Sequence, residues 1–120
     1  MNLFRAILSV IIMRKTYNKL VRDRIPEIIQ ASGQQYVTEV LSEEEYQQAL
    51  RQKLIEEAHE AADADVSGLV GELADLYEVM DALAKVYGIE HEAILVEQRR
   101  KRDERGDFSQ RVRLLWSGAE

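Results

Sequence analysis

The sequence contains no cysteine, which excludes a disulfide framework, thiolate zinc, iron–sulfur ligation and a thiol nucleophile. Its two histidines, His59 and His91, are too few for a multi-histidine metal cluster. Proline occurs once, as Pro26, and glycine six times. So sparse a supply of turn residues argues against a sandwich or barrel of many short strands and for long helices. The longest apolar run, Leu3 to Met13, falls short of the roughly 20 residues that span a bilayer. What the chain does have is 46% hydrophobic and 32% charged residues over 120 positions. That is enough apolar material for the core of one domain and too much for a disordered tail.

The opening run loosely resembles the core of a signal peptide, but Arg14, Lys15 and Thr16 follow it where a small-residue cleavage site belongs. Met13 offers a second start, which would make residues 1–12 an over-extended reading frame. A short helix docking on the bundle or on a partner is the alternative. In either case residues 1–13 read as a non-catalytic N-terminal extension, and the protein is expected to be cytoplasmic.

The net charge of −6 argues against a generic nucleic-acid binder, and its distribution says more than its total. Residues 1–24 carry six bases against Asp23, residues 39–81 carry thirteen acids against Arg51 and Lys53, and residues 97–113 carry seven bases against four acids. An acidic tract is by itself an ordinary solvated helix surface. Basic segments folded back beside an acidic centre suit a metal–polyphosphate ligand better than either sign alone.

The helix signals are clear. Asp23 is placed to cap a short helix through Ile25, Ile28 and Ile29, with Pro26 in its first turn and Gly33 closing it. Gln35 to Leu41 alternates like a short strand. Ser42 and Glu45 form a capping box that opens a long helix to about Ala64, and Asp65-Val66-Ser67-Gly68 reads as a turn. A second long helix runs to Gly88, with Val70, Leu73, Tyr77, Met80, Ala84 and Tyr87 as its apolar stripe. A third runs from about Glu90 to Glu104 and stops at Gly106. The tail, Ser109 to Trp116, reads as a weak strand or an arm. The expected fold class is therefore an all-α helical bundle with a short extended segment and a C-terminal tail.

Carboxylates break the apolar stripes of the two long helices. At about 100° per residue from Tyr46, Leu50, Leu54, Ala58, Ala61 and Ala62 fill one arc. Glu57 falls inside the face expected to meet the core, and Glu60 and Lys53 lie at its edge, while Glu56 and Asp63 point elsewhere. On the next helix, measured from Val70, apolar residues fill an arc from about 160° to 360°. Glu72 lies within that arc and Asp75 on its border, whereas Glu78, Asp81 and Lys85 cluster on the solvated side. Four carboxylates thus face inward as two i, i+3 pairs. Buried like charges must be protonated, paired or bound to metal, and only one Lys lies near the stripe. An all-oxygen set without His or Cys selects a hard cation, Mg²⁺ or Mn²⁺, of the kind that serves phosphoryl chemistry.

Glu56-Glu57-Ala58-His59-Glu60 followed by Glu72-Leu73-Ala74-Asp75 resembles the EExxE…ExxD signature of the MazG-like all-α nucleoside triphosphate pyrophosphohydrolases. That superfamily includes phosphoribosyl-ATP pyrophosphohydrolase and the dimeric dUTPases. The stretch from Tyr17 to Ile29 resembles the opening of one small branch, house-cleaning enzymes for abnormal nucleotides. Arg105-Gly106-Asp107-Phe108 resembles that branch's ending, with Asp107 where a second Gly is more usual. The resemblance covers roughly residues 14–116 and makes residues 14–120 one MazG-like domain.

The resemblance implies Mg²⁺-dependent hydrolysis between the α and β phosphates of a nucleoside triphosphate, releasing monophosphate and pyrophosphate. It implies that Glu57, Glu60, Glu72 and Asp75 hold the metal and that Glu56 and Glu57 take part in catalysis, Glu56 as a proton acceptor or from behind the ligands. Lys19, Arg22, Lys53, Lys101 and Arg105 are candidates for phosphate charge. Tyr17, Tyr77 and Trp116 are candidates to stack on a base, with core packing the stronger expectation for Tyr77. Both histidines are expected on exposed helix surface. The partners implied are a nucleoside triphosphate and a second copy, in a homodimer or homotetramer, with no DNA, RNA or membrane. A phosphoribosyl-ATP or dUTP specialist and a non-catalytic nucleotide-binding or dimerisation module are the alternatives.

Overall fold

The computed structural model describes Leu3 and residues 14–119, so the rest of the opening apolar run, and with it any docking of that run as a helix, lies outside the described residues. Among the described residues the chain is all-α. Its helices are α1 (Ile25–Ala31), α2 (Glu43–Asp63), α3 (Leu69–Val86) and α4 (His91–Arg105), and no strand is present. None of these helices is long and apolar enough to cross a membrane. The chain divides into two compact units, Met1–Ile55 and Glu56–Glu120.

In the first unit α1 begins one residue later than an Asp23 cap requires. The Ile25 N–H donates to the Arg22 carbonyl at 3.0 Å, so Asp23 is spent in a turn, and Arg24 takes the cap position without a side-chain bond. An Arg24–Glu27 ion pair at 3.3 Å spans the first turn instead, and Pro26 sits where its missing N–H does no harm. Gly33 closes the helix as expected. With φ at +85° it lets its own N–H reach the Gln30 carbonyl and the Gln34 N–H reach the Ile29 carbonyl, the paired bonds of a Schellman end.

The alternation from Gln35 to Leu41 does not make a strand. Val37 and Val40 are 99% and 100% exposed, and strand hydrogen bonds need a partner that sequence-local alternation cannot supply. The tail from Ser109 to Trp116 is likewise irregular and exposed. It is turned by Asp107, whose Oδ1 accepts the Ser109 N–H at 3.0 Å and the Ser109 hydroxyl at 2.7 Å. Those bonds hold the Asp107 carboxyl below its ordinary range, and they give this departure from the expected second Gly a local structural job.

The capping box forms as the sequence implies. The Ser42 N–H donates to Glu45 Oε1 at 3.0 Å and the Glu45 N–H donates to Ser42 Oγ at 3.2 Å. The bond from the Ser42 N–H first, and the Ser42 side chain second, favour the charged carboxylate and hold Glu45 below the usual glutamate range. In the second unit, the turn between α2 and α3 is organised by Asp65, whose Oδ1 accepts the Ser67 hydroxyl at 2.7 Å and the Gly68 N–H at 2.9 Å. Gly88, with φ at +69°, ends α3 in the same paired-bond manner as Gly33 ends α1.

The stripe expected to be the core of α3 is not the face that packs. Val70, Leu73, Tyr77, Met80 and Tyr87 are exposed, Tyr77 by 65%. Leu76, Ala82, Leu83 and Val86 are half-buried instead, around the buried Val79. The apolar arc is wide enough for two faces, and the half centred near Glu72 is the one used. On α2, Leu50 is buried and Leu54 and Ala61 are half-buried, whereas Ala58 and Ala62 of the expected stripe are exposed.

Because the Ser42 cap supplies bonds to two otherwise orphaned groups, Ser42→Ala is expected to cost about 1 kcal/mol in urea unfolding at neutral pH. The depressed Glu45 carboxyl contributes stability that is present above its unfolded value and lost as pH falls through its folded one. The gap between wild type and Ser42→Ala should therefore narrow on acidification below the ordinary glutamate value of 4.5.

Candidate metal centre

The second unit brings together acids from the end of α2 and the start of α3. Glu57 lies less than two turns before α2 ends at Asp63, and Glu72 lies in the first turn of α3. The short turn at Asp65–Gly68 sends α3 back along α2, so residues close to the turn on both helices meet. Asp75 follows Glu72 by three residues and shares its face. One carboxylate oxygen each from Glu57, Glu72 and Asp75 lies within 4.8 Å of the others. Glu57 is buried at 7% exposure, and Glu72 and Asp75 are half-buried.

Glu72 shows what this convergence does. Burial first, and then the charges of Glu60, Asp75 and Glu57, push its carboxyl above the ordinary glutamate range. A side-chain interaction with Glu60 adds to the rise. Its position at a helix N-terminus works in the other direction. Glu72 Oε2 is buried and accepts no hydrogen bond. The gathered like charges leave the site with a charge problem. A cation seated among the same oxygens would meet it by coordination.

The remaining expected site residues fall in different places. Glu60 is exposed and adjoins the cluster through Glu72, so three of the four inward carboxylates are at least half-buried and the fourth stands at the rim. Glu56, expected to face away, is half-buried. Lys19 and Arg22 are exposed in the irregular segment before α1, and Lys53 is half-buried on α2; all three belong to the first unit and have interaction partners. Lys101 and Arg105 are exposed on α4. The charged groups that act on Glu72 are all carboxylates.

His59 and His91 are exposed, as expected, and His91 Nδ1 stands 3.9 Å from Asp81. Tyr77 is exposed and so is not core packing, Trp116 is exposed, and Tyr17 receives the Lys15 ammonium 4.9 Å from its ring centre. A cleft of about 480 Å³ where α3 meets α4 is lined by Asp81, Ala84, Lys85, Ile89 and His91 among others, and none of the clustered carboxylates lines it.

The chain is 55% identical over 47 residues to an uncharacterized protein of Mycolicibacterium smegmatis (strain ATCC 700084 / mc(2)155). The match takes in 39% of this chain and 48% of the relative, so it spans about half of that protein's length. No family model and no solved structure matches the chain.

The raised Glu72 carboxyl ties stability to pH. A group whose folded value lies above its unfolded one contributes stability that is fully present below the unfolded value and lost as pH rises through the folded value. In EDTA the thermal midpoint should therefore fall as pH rises above 4.5, the ordinary glutamate value. Glu72→Gln should flatten that fall and melt higher than wild type at pH 7. Circular-dichroism melts across pH check both outcomes, and a wild-type midpoint that climbs steadily through this window contradicts them.

Proposed function

We propose that the chain is a Mg²⁺-dependent nucleoside triphosphate pyrophosphohydrolase of the MazG-like kind, cleaving between the α and β phosphates. The observation that carries this reading is the convergence of Glu57, Glu72 and Asp75, with the buried Glu72 Oε2 left without a hydrogen bond. The donor set fits a hard divalent cation: carboxylate oxygens only, from two helices, with Glu60 at the rim. The likeness of Glu56–Glu60 and Glu72–Asp75 to the EExxE…ExxD signature supports the reaction class and the choice of bond. A bound Mg²⁺ or Mn²⁺ would neutralise polyphosphate charge and make an attacking water more acidic.

The chain's own part in this is electrostatic and positional. Glu57, Glu72 and Asp75 would hold the ion, and their burial would strengthen its attraction to their charge. Glu60, at the rim next to Glu72, would complete the ligand set. Glu56, half-buried one residue before Glu57, is the candidate to accept a proton from the attacking water. Lys101 and Arg105 on α4 are the second unit's candidates for phosphate charge. The substrate in this reading is a nucleoside triphosphate, and the reading assigns the protein to the cytoplasm.

A panel of ordinary and damaged triphosphates with Mg²⁺, scored for pyrophosphate against orthophosphate, tests the reaction. Monophosphate and pyrophosphate should appear in equal amounts, and hydrolysis in ¹⁸O-water should label the monophosphate. Label in orthophosphate, with diphosphate as co-product, would mean γ attack and a different class of enzyme. Glu57→Gln, Glu60→Gln, Glu72→Gln and Asp75→Asn should each lower turnover by at least roughly 100-fold, the upper end of what losing an outer-shell partner costs. Glu44→Gln and Asp63→Asn, exposed acids of α2, serve as controls.

Metal removal is a separate readout. Mg²⁺ at a hundredfold excess over its Kd should stabilise wild type by about 2.7 kcal/mol and Glu72→Gln by much less. No stabilisation by Mg²⁺ or Mn²⁺ at millimolar concentration would sink the metal assignment itself.

A further inference from the structure

Beyond α4 the chain carries a run of large apolar side chains with nothing over them. Phe108 is 98% exposed, Val112 81%, Leu114 77%, Leu115 82% and Trp116 72%. No helix or strand forms from Val112 to Trp116. The tail's last backbone hydrogen bond among the described residues runs from the Arg111 N–H to the Phe108 carbonyl at 3.1 Å. Five large apolar side chains therefore contribute no burial to the single chain, and an uncovered group of that size marks a contact surface. Cations are set among them. Residues 99–116 hold seven Arg or Lys against Asp103, Glu104 and Asp107, a net charge of +4 that leaves −10 on the rest of a chain whose total is −6. Among the described residues Arg100 is taken up by ion pairs with Glu97 and Glu104, whereas Arg111 and Arg113 form none.

The mixture of side chains selects the occupant. A nucleic-acid strand would take the cations and stack on Phe108 and Trp116. It would leave Val112, Leu114 and Leu115 in water, because aliphatic side chains offer a base no flat face. A groove on another protein requires apolar side chains on one side and charges in fixed places. Here Arg111 and Arg113 alternate with apolar residues along a segment that has no regular structure to sort them into faces. The boundary of an anionic bilayer takes both kinds together. Aliphatic and aromatic side chains sink to the acyl boundary, Trp sits at headgroup level, and each guanidinium reaches out to lipid phosphate or carboxylate oxygens. We propose that the end of α4 and the tail through Trp116 bind a membrane surface rich in anionic lipid. Charge attraction and shallow apolar insertion act together there, and the same surface potential holds the acidic remainder of the chain away. Such a surface does not depend on the catalytic reading, and it departs from the absence of a membrane partner that the family resemblance implies.

Trp116 is the chain's only tryptophan, so its fluorescence reports on the tail alone. The full chain is mixed with vesicles of two parts phosphatidylcholine to one part phosphatidylserine, and separately with vesicles of phosphatidylcholine only. Flotation and Trp116 emission are read on each. With the anionic vesicles the chain should float, and the emission should move to shorter wavelength and be shielded from iodide. Added salt should release it. Phosphatidylcholine alone should leave both readouts near those of the free chain. Arg111→Gln and Arg113→Gln should each weaken binding roughly fivefold, the share of one base at an anionic surface. Leu114→Ser combined with Leu115→Ser should weaken it by at least roughly tenfold. All four positions are exposed and outside the helices, so the variants keep their fold, which circular dichroism checks. Val37→Ser, at a position 99% exposed in the first unit, should bind as wild type does. No flotation with anionic vesicles, flotation without a change in Trp116 emission, equal binding to phosphatidylcholine, or tail variants that bind like wild type overturns the proposal. So does a single-stranded oligonucleotide that quenches Trp116 and binds more tightly than the anionic vesicles, which would make the segment a nucleic-acid surface. None of these readouts uses turnover. An inactive chain that binds vesicles refutes only the catalytic reading, and an active chain that ignores them refutes only this one.

Discussion

Three carboxylates that approach within 4.8 Å on the packed side of two helices are the constraint around which the second unit is arranged. Like charges at that spacing repel, and the repulsion grows as water is withdrawn. Burial and that repulsion push the Glu72 carboxyl above the ordinary glutamate range, while the same face of α3 also carries Leu76, Val79, Leu83 and Val86. Apolar burial along the helix therefore holds closed a contact that its own first turn pushes open. The proposal of a cation site rests on this convergence of like charges out of water.

Much of this was legible in the residues. Glu57, Glu72 and Asp75 stand out because each interrupts or borders an apolar arc where a solvated acid has no reason to be. The Ser42–Glu45 box and the Asp65–Gly68 turn were equally clear, since their bonds are made between residues three apart and depend on nothing distant. Asp23 failed as a cap by a single position, because a turn bonded through Arg22 started the helix after it. The alternation at Gln35–Leu41 failed for a different reason: a strand is defined by its neighbour, and no neighbour is encoded in seven residues.

The hardest feature to read was which half of α3's apolar arc would pack. Periodicity measures how wide an apolar face is and leaves open how many partners share it. Val70, Leu73, Tyr77, Met80 and Tyr87 keep good helical spacing, yet the chain's own core forms on Val79 and its neighbours. Glu60 and Glu56 show the same limit at smaller scale. Glu60 lies at the edge of the α2 arc and Glu56 beyond it, where a modest rotation decides whether a side chain is exposed or half-buried, and the structure reverses their expected order.

The two faces of α3 are consequently not independent. Glu72 and Asp75 project from the face that packs within the chain, and the uncovered stripe lies around the same helix. A helix held on one side can rotate or bow on the packing it has, and small shifts of that kind would change the spacing among Glu57, Glu72 and Asp75. Ligands on rigid, doubly packed elements keep a cation's geometry far better than ligands on a helix with one free face.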